Sequence, residues 1–204
     1  SLKKARRRLV FDEFLLLQLG LLRRRSKLRA YKAPSLIVPS KEEGLIGEFL
    51  NLLPFSLTHS QHRVLEEIQK DISSTEPMAR LLQGDVGSGK TVVALAALVH
   101  VVQSGYQGAL MAPTEVLAGQ HYRNFCEWLP HLHITVELLT GSTSKKKRKI
   151  LLDDLANGSL KILVGTHALI EDPVSFSSLG LVVVDEQHRF GVKQRNRLLR
   201  KGLQ

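Results

Sequence analysis

The sequence predicts an α/β fold, a mostly parallel sheet with helices on both faces, preceded by a helical segment. Three observations predict it. From Thr58 onward, short apolar runs alternate with longer stretches of helical periodicity. A glycine-rich loop, Gly84–Thr91, follows one apolar run and opens one helical stretch. Ahead of both, residues 2–28 contain no proline and only one glycine, Gly20.

Leu9, Val10, Phe14, Leu17 and Leu21 recur at helical spacing, so Leu2–Leu28 is expected to be one helix. Phe14–Leu17 is apolar nearly all round, which predicts packing on more than one side. Pro34 and Pro39 break the pattern, and Ser35–Val38 reads as extended. Leu45–Leu53 reads as a short helix ending near Pro54. His59–Asp71 is helical, with Val64, Leu65 and Ile68 on its apolar side. Strands are expected at Arg80–Leu82, Gly108–Ala112, Ile134–Leu139, Ile162–Val164 and Leu181–Val184. Helices are expected at Lys90–Ser104, Val116–Leu129 and Ser144–Asn157, with Phe125 and Trp128 as core residues. Residues 1–54 thus read as a helical lead-in and residues 55–204 as one α/β unit, without repeats or low-complexity tracts.

Composition limits the possible function classes. A chain of 204 residues with 43% hydrophobic and 24% charged content can bury a core and is not disordered as a whole. No apolar run reaches the roughly 18 residues of a membrane span, so no membrane partner is expected. A single cysteine, Cys126, excludes a disulfide framework and a cysteine-rich zinc site, and reads as inert. His100, His131 and His133 lack partners at metal spacing. The N-terminus has no secretory h-region, so a reducing intracellular compartment is expected. The chain opens at Ser1 and reads as a fragment. Its net charge of +10 is uneven: residues 1–32 carry +9 and the rest +1. Local basic runs lie at Lys145–Lys149 and Arg189–Lys201. Such clusters either face phosphate or solvate a helix, and both readings stay open.

The chemistry concentrates in two places. Gly84-Asp85-Val86-Gly87-Ser88-Gly89-Lys90-Thr91 fits the phosphate-loop pattern G-x-x-x-x-G-K-[ST] between a strand and a helix. Glycines let backbone N–H groups curl around phosphate oxygens, and the helix N-terminus adds its positive end. Lys90 would reach the β and γ phosphates of ATP, and Thr91 would offer its hydroxyl to Mg2+. About 95 residues on, Leu181–Val184 ends in Asp185 and Glu186. Asp185 suits Mg2+, and Glu186 suits a base that polarises the attacking water. Two solvated acids at a strand end would be the plainer reading, but the upstream phosphate loop argues against it.

Asp185-Glu186-Gln187-His188 resembles the motif II box of superfamily 2 helicases. With Arg189-Phe190-Gly191-Val192 and Val86-Gly87-Ser88-Gly89, the resemblance narrows to the RecG and Mfd branch. Gln187 and Ser88 fall on the RecG side, since Mfd-like proteins usually carry Glu and Phe there. Ala5–Glu13 with Leu17-Gln18-Leu19 is similar to the segment that joins the RecG wedge domain to its motor. The resemblance covers almost the whole chain.

It implies an ATP-dependent helicase that remodels branched double-stranded DNA in repair and recombination. It also implies a RecA-like fold for residues 55–204, as the first of two lobes. A wedge domain would precede Ser1, and a second lobe with its arginine finger would follow Gln204. Nothing resembles motif III, and hydrolysis needs both lobes around the γ-phosphate, so the chain alone is expected to bind nucleotide and hardly to turn it over. Residue by residue, Phe55–Gln61 resembles the adenine-recognising Q motif, with Gln61 as the base-reading amide. His188 joins the ATP site. Thr114 and Glu115, Gly141 and Ser142, and Thr166 and His167 lie in loops that touch the DNA backbone in the family. The implied location is the bacterial cytoplasm with its nucleoid, or an organelle of bacterial origin. Two other readings remain open at this point. One is an Mfd-like translocase acting with RNA polymerase, against which Gln187 and the N-terminal segment argue. The other is a nucleotide- or DNA-binding module without turnover.

Overall fold

The computed structural model describes residues 2–36 and 44–191. Helix α1 (Leu2–Arg29) is the expected N-terminal helix. The predicted packing of its apolar girdle is not found among the described residues: Phe14 is 61% and Leu16 70% exposed. Its C-terminal end is anchored, because Arg29 Nε lies 3.0 Å from Glu76 Oε2. The chain then runs along the end of the next helical layer. Ala33 N–H donates to Thr75 O, and Leu36 N–H donates to Ile72 O. Leu36 is buried there, but it forms no strand. The rest of the expected extended segment, Ile37 and Val38, lies outside the described residues.

Helices α2 (Leu45–Leu52), α3 (His59–Ile72) and α4 (Lys90–Gln103) pack together over one sheet face. Helix α3 starts in a capping box. Gln61 N–H donates to Thr58 Oγ1, and Thr58 N–H donates to Gln61 Oε1, satisfying two otherwise orphaned donors. Helix α4 is apolar on nearly every side and buried almost throughout, which is why it sits at the centre. In its middle, His100 is 1% exposed and hydrogen-bonds the Gln69 amide of α3 through Nε2. Burial pushes the His100 pKa down to about 4.

Four parallel strands follow: β1 (Gln107–Met111), β2 (Val136–Leu139), β3 (Ile162–Gly165) and β4 (Leu179–Val184), in the order β2-β3-β1-β4. Side chains alternate between faces, as pleated strands require. Leu110, Ile162 and Val164 join the core with α2, α3, α4 and α5 (Glu115–Trp128). Met111, Leu139 and Leu163 join a second core with Leu151 and Leu155 of α6 (Lys145–Asn157). Helices therefore cover both faces, as the apolar alternation predicts. Phe125 is fully buried, and Trp128 meets Phe49 edge-on at 6.2 Å between ring centroids. At the start of β1, buried Gln107 ties distant segments. Its Nε2 donates to Leu155 O and Leu160 O, and its Oε1 accepts from Ser178 N–H.

Two strand expectations are corrected. No strand forms at Arg80–Leu82. Arg80 is ion-paired to Asp71 (2.7 Å) and Glu67 (2.6 Å), which draws the segment onto α3 and leaves Leu81 59% exposed. Among the described residues β4 is bonded to β1 alone. The second correction is that β2 begins at Val136, not Ile134. Leu129–Leu132 forms a tight 3-10 turn with Pro130 near its start, and His133 adopts φ 54°. That turn keeps Ile134 N–H bonded to Leu129 O instead of to the sheet.

Candidate nucleotide and nucleic-acid site

A parallel sheet delivers the carboxyl ends of all its strands to one edge, and ligands bind outside that edge. Here those ends lead into Thr140–Ser142 after β2, Thr166–His167 after β3, Thr114–Glu115 after β1 and Asp185–Glu186 after β4. Residues scattered over 73 positions of sequence are thus aligned along a single rim.

The phosphate loop lies at the N-terminus of α4. Gly87 (φ 81°) and Gly89 (φ 78°) both occupy left-handed backbone, which a side chain would strain. Gly84, Asp85, Val86 and Ser88 are exposed. Lys90 Nζ donates to Gly84 O and Asp85 O, at 2.6 Å each. The ammonium thus rests on two neutral carbonyls, which the charged oxygens of a phosphate would displace. Gln61 reaches this loop directly, since its Nε2 donates to Ser88 O at 2.9 Å. Its amide packs so closely over Gly89 that a β-carbon there would collide with it. Thr91, half-buried, follows in the first turn of α4.

Asp185 is gripped through both oxygens. Oδ1 accepts from Glu186 N–H at 2.9 Å, and Oδ2 lies 2.8 Å from His121 Nε2 on α5. The His121 hydrogen bond is the main cause holding the Asp185 carboxyl below the usual carboxylate range, and Lys90 adds a smaller electrostatic pull. Burial acts in the opposite sense. The Lys90 ammonium and the Asp185 carboxylate thus share one electrostatic neighbourhood, suited to phosphates and a divalent cation. Glu186 sits in left-handed backbone (φ 48°), and its Oε2 lies 3.4 Å from His188 Nδ1, both side chains being well exposed. A non-glycine residue in that conformation is uncommon and marks this turn as specialised.

The rim loops differ in what they present. Thr114 caps α5, its Oγ1 accepting from Leu117 N–H. The Glu115 carboxylate receives Ser142 N–H at 3.2 Å and Ser142 O–H at 2.8 Å. Those bonds hold its carboxyl below the usual range, the Ser142 hydroxyl contributing most. Glu115 therefore braces the Gly141–Ser142 loop. Thr166 is 1% exposed, and its hydroxyl has no partner among the described residues, whereas His167 beside it is exposed. On α6, Lys147 pairs with Glu137 and Arg148 with Glu171. Lys145, Lys146 and Lys149 face outward. From the basic run at residues 189–201, Arg189 closes a short turn, and residues 192–201 lie outside the described residues.

Sequence reasoning missed His121. It sits one and a half turns inside an ordinary amphipathic helix, and no spacing rule connects position 121 to position 185. It also missed the bracing role of Glu115, for which the Thr114-Glu115 pair at a helix start gave only half the signal.

The fold is that of a helicase domain: the chain belongs to the DEAD/DEAH box helicase family, whose profile matches residues 58–204. The family implies nucleotide binding. Within it the chain is similar to proteins named ATP-dependent DNA helicase RecG. It is 55% identical over 202 residues to that of Synechocystis sp., covering 99% of this chain and 24% of the relative. It is 52% identical over 202 residues to that of Bacillus subtilis, covering 99% of this chain and 29% of the relative. A solved structure described as RecG bound to a three-way DNA junction superposes with a TM-score of 0.86 at 44% identity, over 93% of this chain and 26% of that one. The UvsW helicase of bacteriophage T4 shares the fold alone, with a TM-score of 0.57 at 18% identity over 78% of this chain and 55% of that one. The chain spans about a quarter of the length of the curated relatives it matches. Among the described residues no helix is long and apolar enough to cross a membrane.

Proposed function

We propose that this chain is the first motor lobe of an ATP-driven helicase that remodels branched double-stranded DNA, such as stalled forks and recombination junctions. The observation that carries the reading is the shared rim. The phosphate loop, the Asp185–Glu186 turn and three loops rich in hydroxyl and glycine residues line one edge of the sheet. Small hydroxyls and backbone N–H groups suit contact with phosphates irrespective of sequence. The high similarity to RecG proteins supports the DNA substrate, and the cytoplasmic nucleoid is the corresponding location.

The residues fit Mg-ATP. Backbone N–H groups of Gly87–Thr91 and the Lys90 ammonium would hold the phosphates, while Thr91 and Asp185 would hold Mg2+. Bound there, Mg-ATP supplies the phosphoanhydride whose hydrolysis drives movement. Glu186 orients the attacking water and takes its proton, and exposed His188 bounds the same space. Gln61 has four hydrogen-bonding positions, of which Thr58 and Ser88 engage two. One donor and one acceptor are left over, which is the complement of an adenine edge. Thr114, Gly141, Ser142 and His167 meet the DNA backbone. Glu115 holds the Ser142 loop in place, and Thr166 lies buried beside His167 at the end of β3. A wedge domain and a second lobe of the same protein complete the machine.

Phosphate release by the intact protein, measured with and without forked duplex, tests this reading. Fork-stimulated turnover with strand separation is expected. Nucleotide binding without turnover would overturn it in favour of a binding module, and a turnover response to RNA polymerase instead of forks would favour an Mfd-like translocase.

A further inference from the structure

His121 belongs to no motif identified in the sequence, yet it makes the one side-chain bond to Asp185 found among the described residues. Its side chain is 12% exposed and lies against Phe125, with ring centroids 6.5 Å apart. Nδ1 is buried and has no partner among the described residues. A buried bare acceptor costs less than a buried bare N–H, so the tautomer carrying its hydrogen on Nε2 fits this pocket. That Nε2–H donates to Asp185 Oδ2. The other oxygen, Oδ1, is held by Glu186 N–H in the same turn. Asp185 is thus fixed once by its own loop and once by α5.

The other end of α5 explains why this matters. The helix opens at Thr114 and Glu115, and Glu115 grips Ser142 through two hydrogen bonds. From Glu115 to His121 the helix rises about 9 Å, at 1.5 Å per residue. Less than two turns of helix moves as a rod. A shift of the rim loops at its N-terminus therefore displaces the Nε2–H that holds Asp185.

We propose that His121 is a positioning residue that ties the Mg2+-holding carboxylate of Asp185 to α5, so that DNA contact at the rim loops sets the geometry of the nucleotide site. The inference rests on the function proposed above. Its physical content is a single directional bond between two elements that meet nowhere else through charged side chains among the described residues. Partners that orient a metal ligand from behind are typically worth 10–100-fold in metal affinity or activity.

The test uses the intact helicase in three forms: wild type, His121→Phe, which keeps the ring and loses the donor, and His121→Gln, which keeps an N–H at similar reach. Mn2+ binding in the presence of a non-hydrolysable ATP analogue is followed by electron paramagnetic resonance. Fork affinity and fork-stimulated turnover are measured alongside. His121→Phe is expected to weaken Mn2+ binding about tenfold and to cut fork stimulation about tenfold, with fork affinity changed less than twofold. His121→Gln is expected to recover most of both losses. Wild-type Mn2+ binding and fork response in His121→Phe would overturn the proposal, as would equal losses in Phe and Gln, which mark mere packing. Should His121→Phe fail to fold, His121→Asn, whose amide is too short to bridge to Asp185, takes its place with the same expectations. A wild-type protein that binds Mn2+ with the analogue but never hydrolyses ATP would sink the proposed function, leaving Mn2+ binding to judge His121. A wild type without Mn2+–nucleotide binding would sink both.

Discussion

Acidification should loosen the joint between α3 and α4, and the size of the effect follows from His100. The ring is 1% exposed, accepts one bond at Nε2 from the Gln69 amide N–H, and has a buried Nδ1 without a partner among the described residues. A protonated imidazole must donate from both nitrogens, and neither site here can accept. Burial pushes the folded pKa down to about 4, against 6.5 in the unfolded chain. Because the folded value is the lower one, the unfolded chain takes up the proton first as the pH falls. The stability present above pH 6.5 is lost progressively down to pH 4, below which the loss levels off. Linkage gives a loss of about 2 kcal/mol at pH 5 and about 3 kcal/mol at pH 4. With a urea dependence of about 2 kcal/mol per molar, the unfolding midpoint should fall by about 1 M between pH 7.5 and pH 5. Trp128, the one tryptophan of the chain, packs on Phe49 between α2 and α5 and reports the transition. His100→Leu removes the titration and strands the Gln69 amide, costing about 1 kcal/mol at pH 7.5. At pH 5 the order should reverse, with the variant more stable than wild type. Parallel pH profiles for the two proteins would refute the reasoning, since carboxylates elsewhere affect both alike.

Three further outcomes are expected. Lys90→Ala in the intact protein should abolish ATP-driven unwinding and leave fork binding largely unchanged in an anisotropy titration, because the role proposed for the ammonium is to hold nucleotide phosphates and not DNA. Glu186→Gln should keep Mg-ATP affinity and lose turnover by about 10²–10⁴-fold, whereas Asp185→Asn should weaken Mg2+ binding; equal nucleotide affinities in the two would contradict that division. Gly89→Ala forces a side chain into left-handed backbone, at about 1–2 kcal/mol, and drives the Gln61 amide off both its partners, at about 1 kcal/mol each. Nucleotide affinity should fall at least tenfold by fluorescent-nucleotide titration.

The sheet was legible because its signals are local. Each strand that forms is a short, mostly apolar run, and each is followed directly by a small or acidic residue (Ala112, Thr140, Thr166, Asp185) that the parallel arrangement carries to the rim. The phosphate loop was legible because glycine spacing and a following helix encode its shape. Arg80–Leu82 misled because three residues of strand-like character are outweighed by two ion pairs from Arg80 to α3, contacts 9 and 13 residues away. Ile134 misled because a turn two residues earlier claims its N–H. The apolar girdle of α1 announces burial without saying against what. Glu115 and Gln61 stand out in the sequence as functional types, but their braces to Ser142 and Ser88 depend on approaches across 27 residues each. His121 was invisible for the same reason, at a separation of 64.

The Gln107 amide bears on how fast this lobe comes apart. Its three bonds join residue 107 to positions 48, 53 and 71 residues downstream. The first two wait for α6 to cross over, and the third, from Ser178, waits in addition for the later crossover that lays β4 beside β1. Parallel crossovers of that span are slow to close, and a bond that needs two of them belongs to the last step of assembly. Interactions absent from the folding transition state leave the folding rate alone and govern the unfolding rate. Gln107 thus acts as a latch: its worth lies in the lifetime of the native sheet, more than in how readily the sheet is first made.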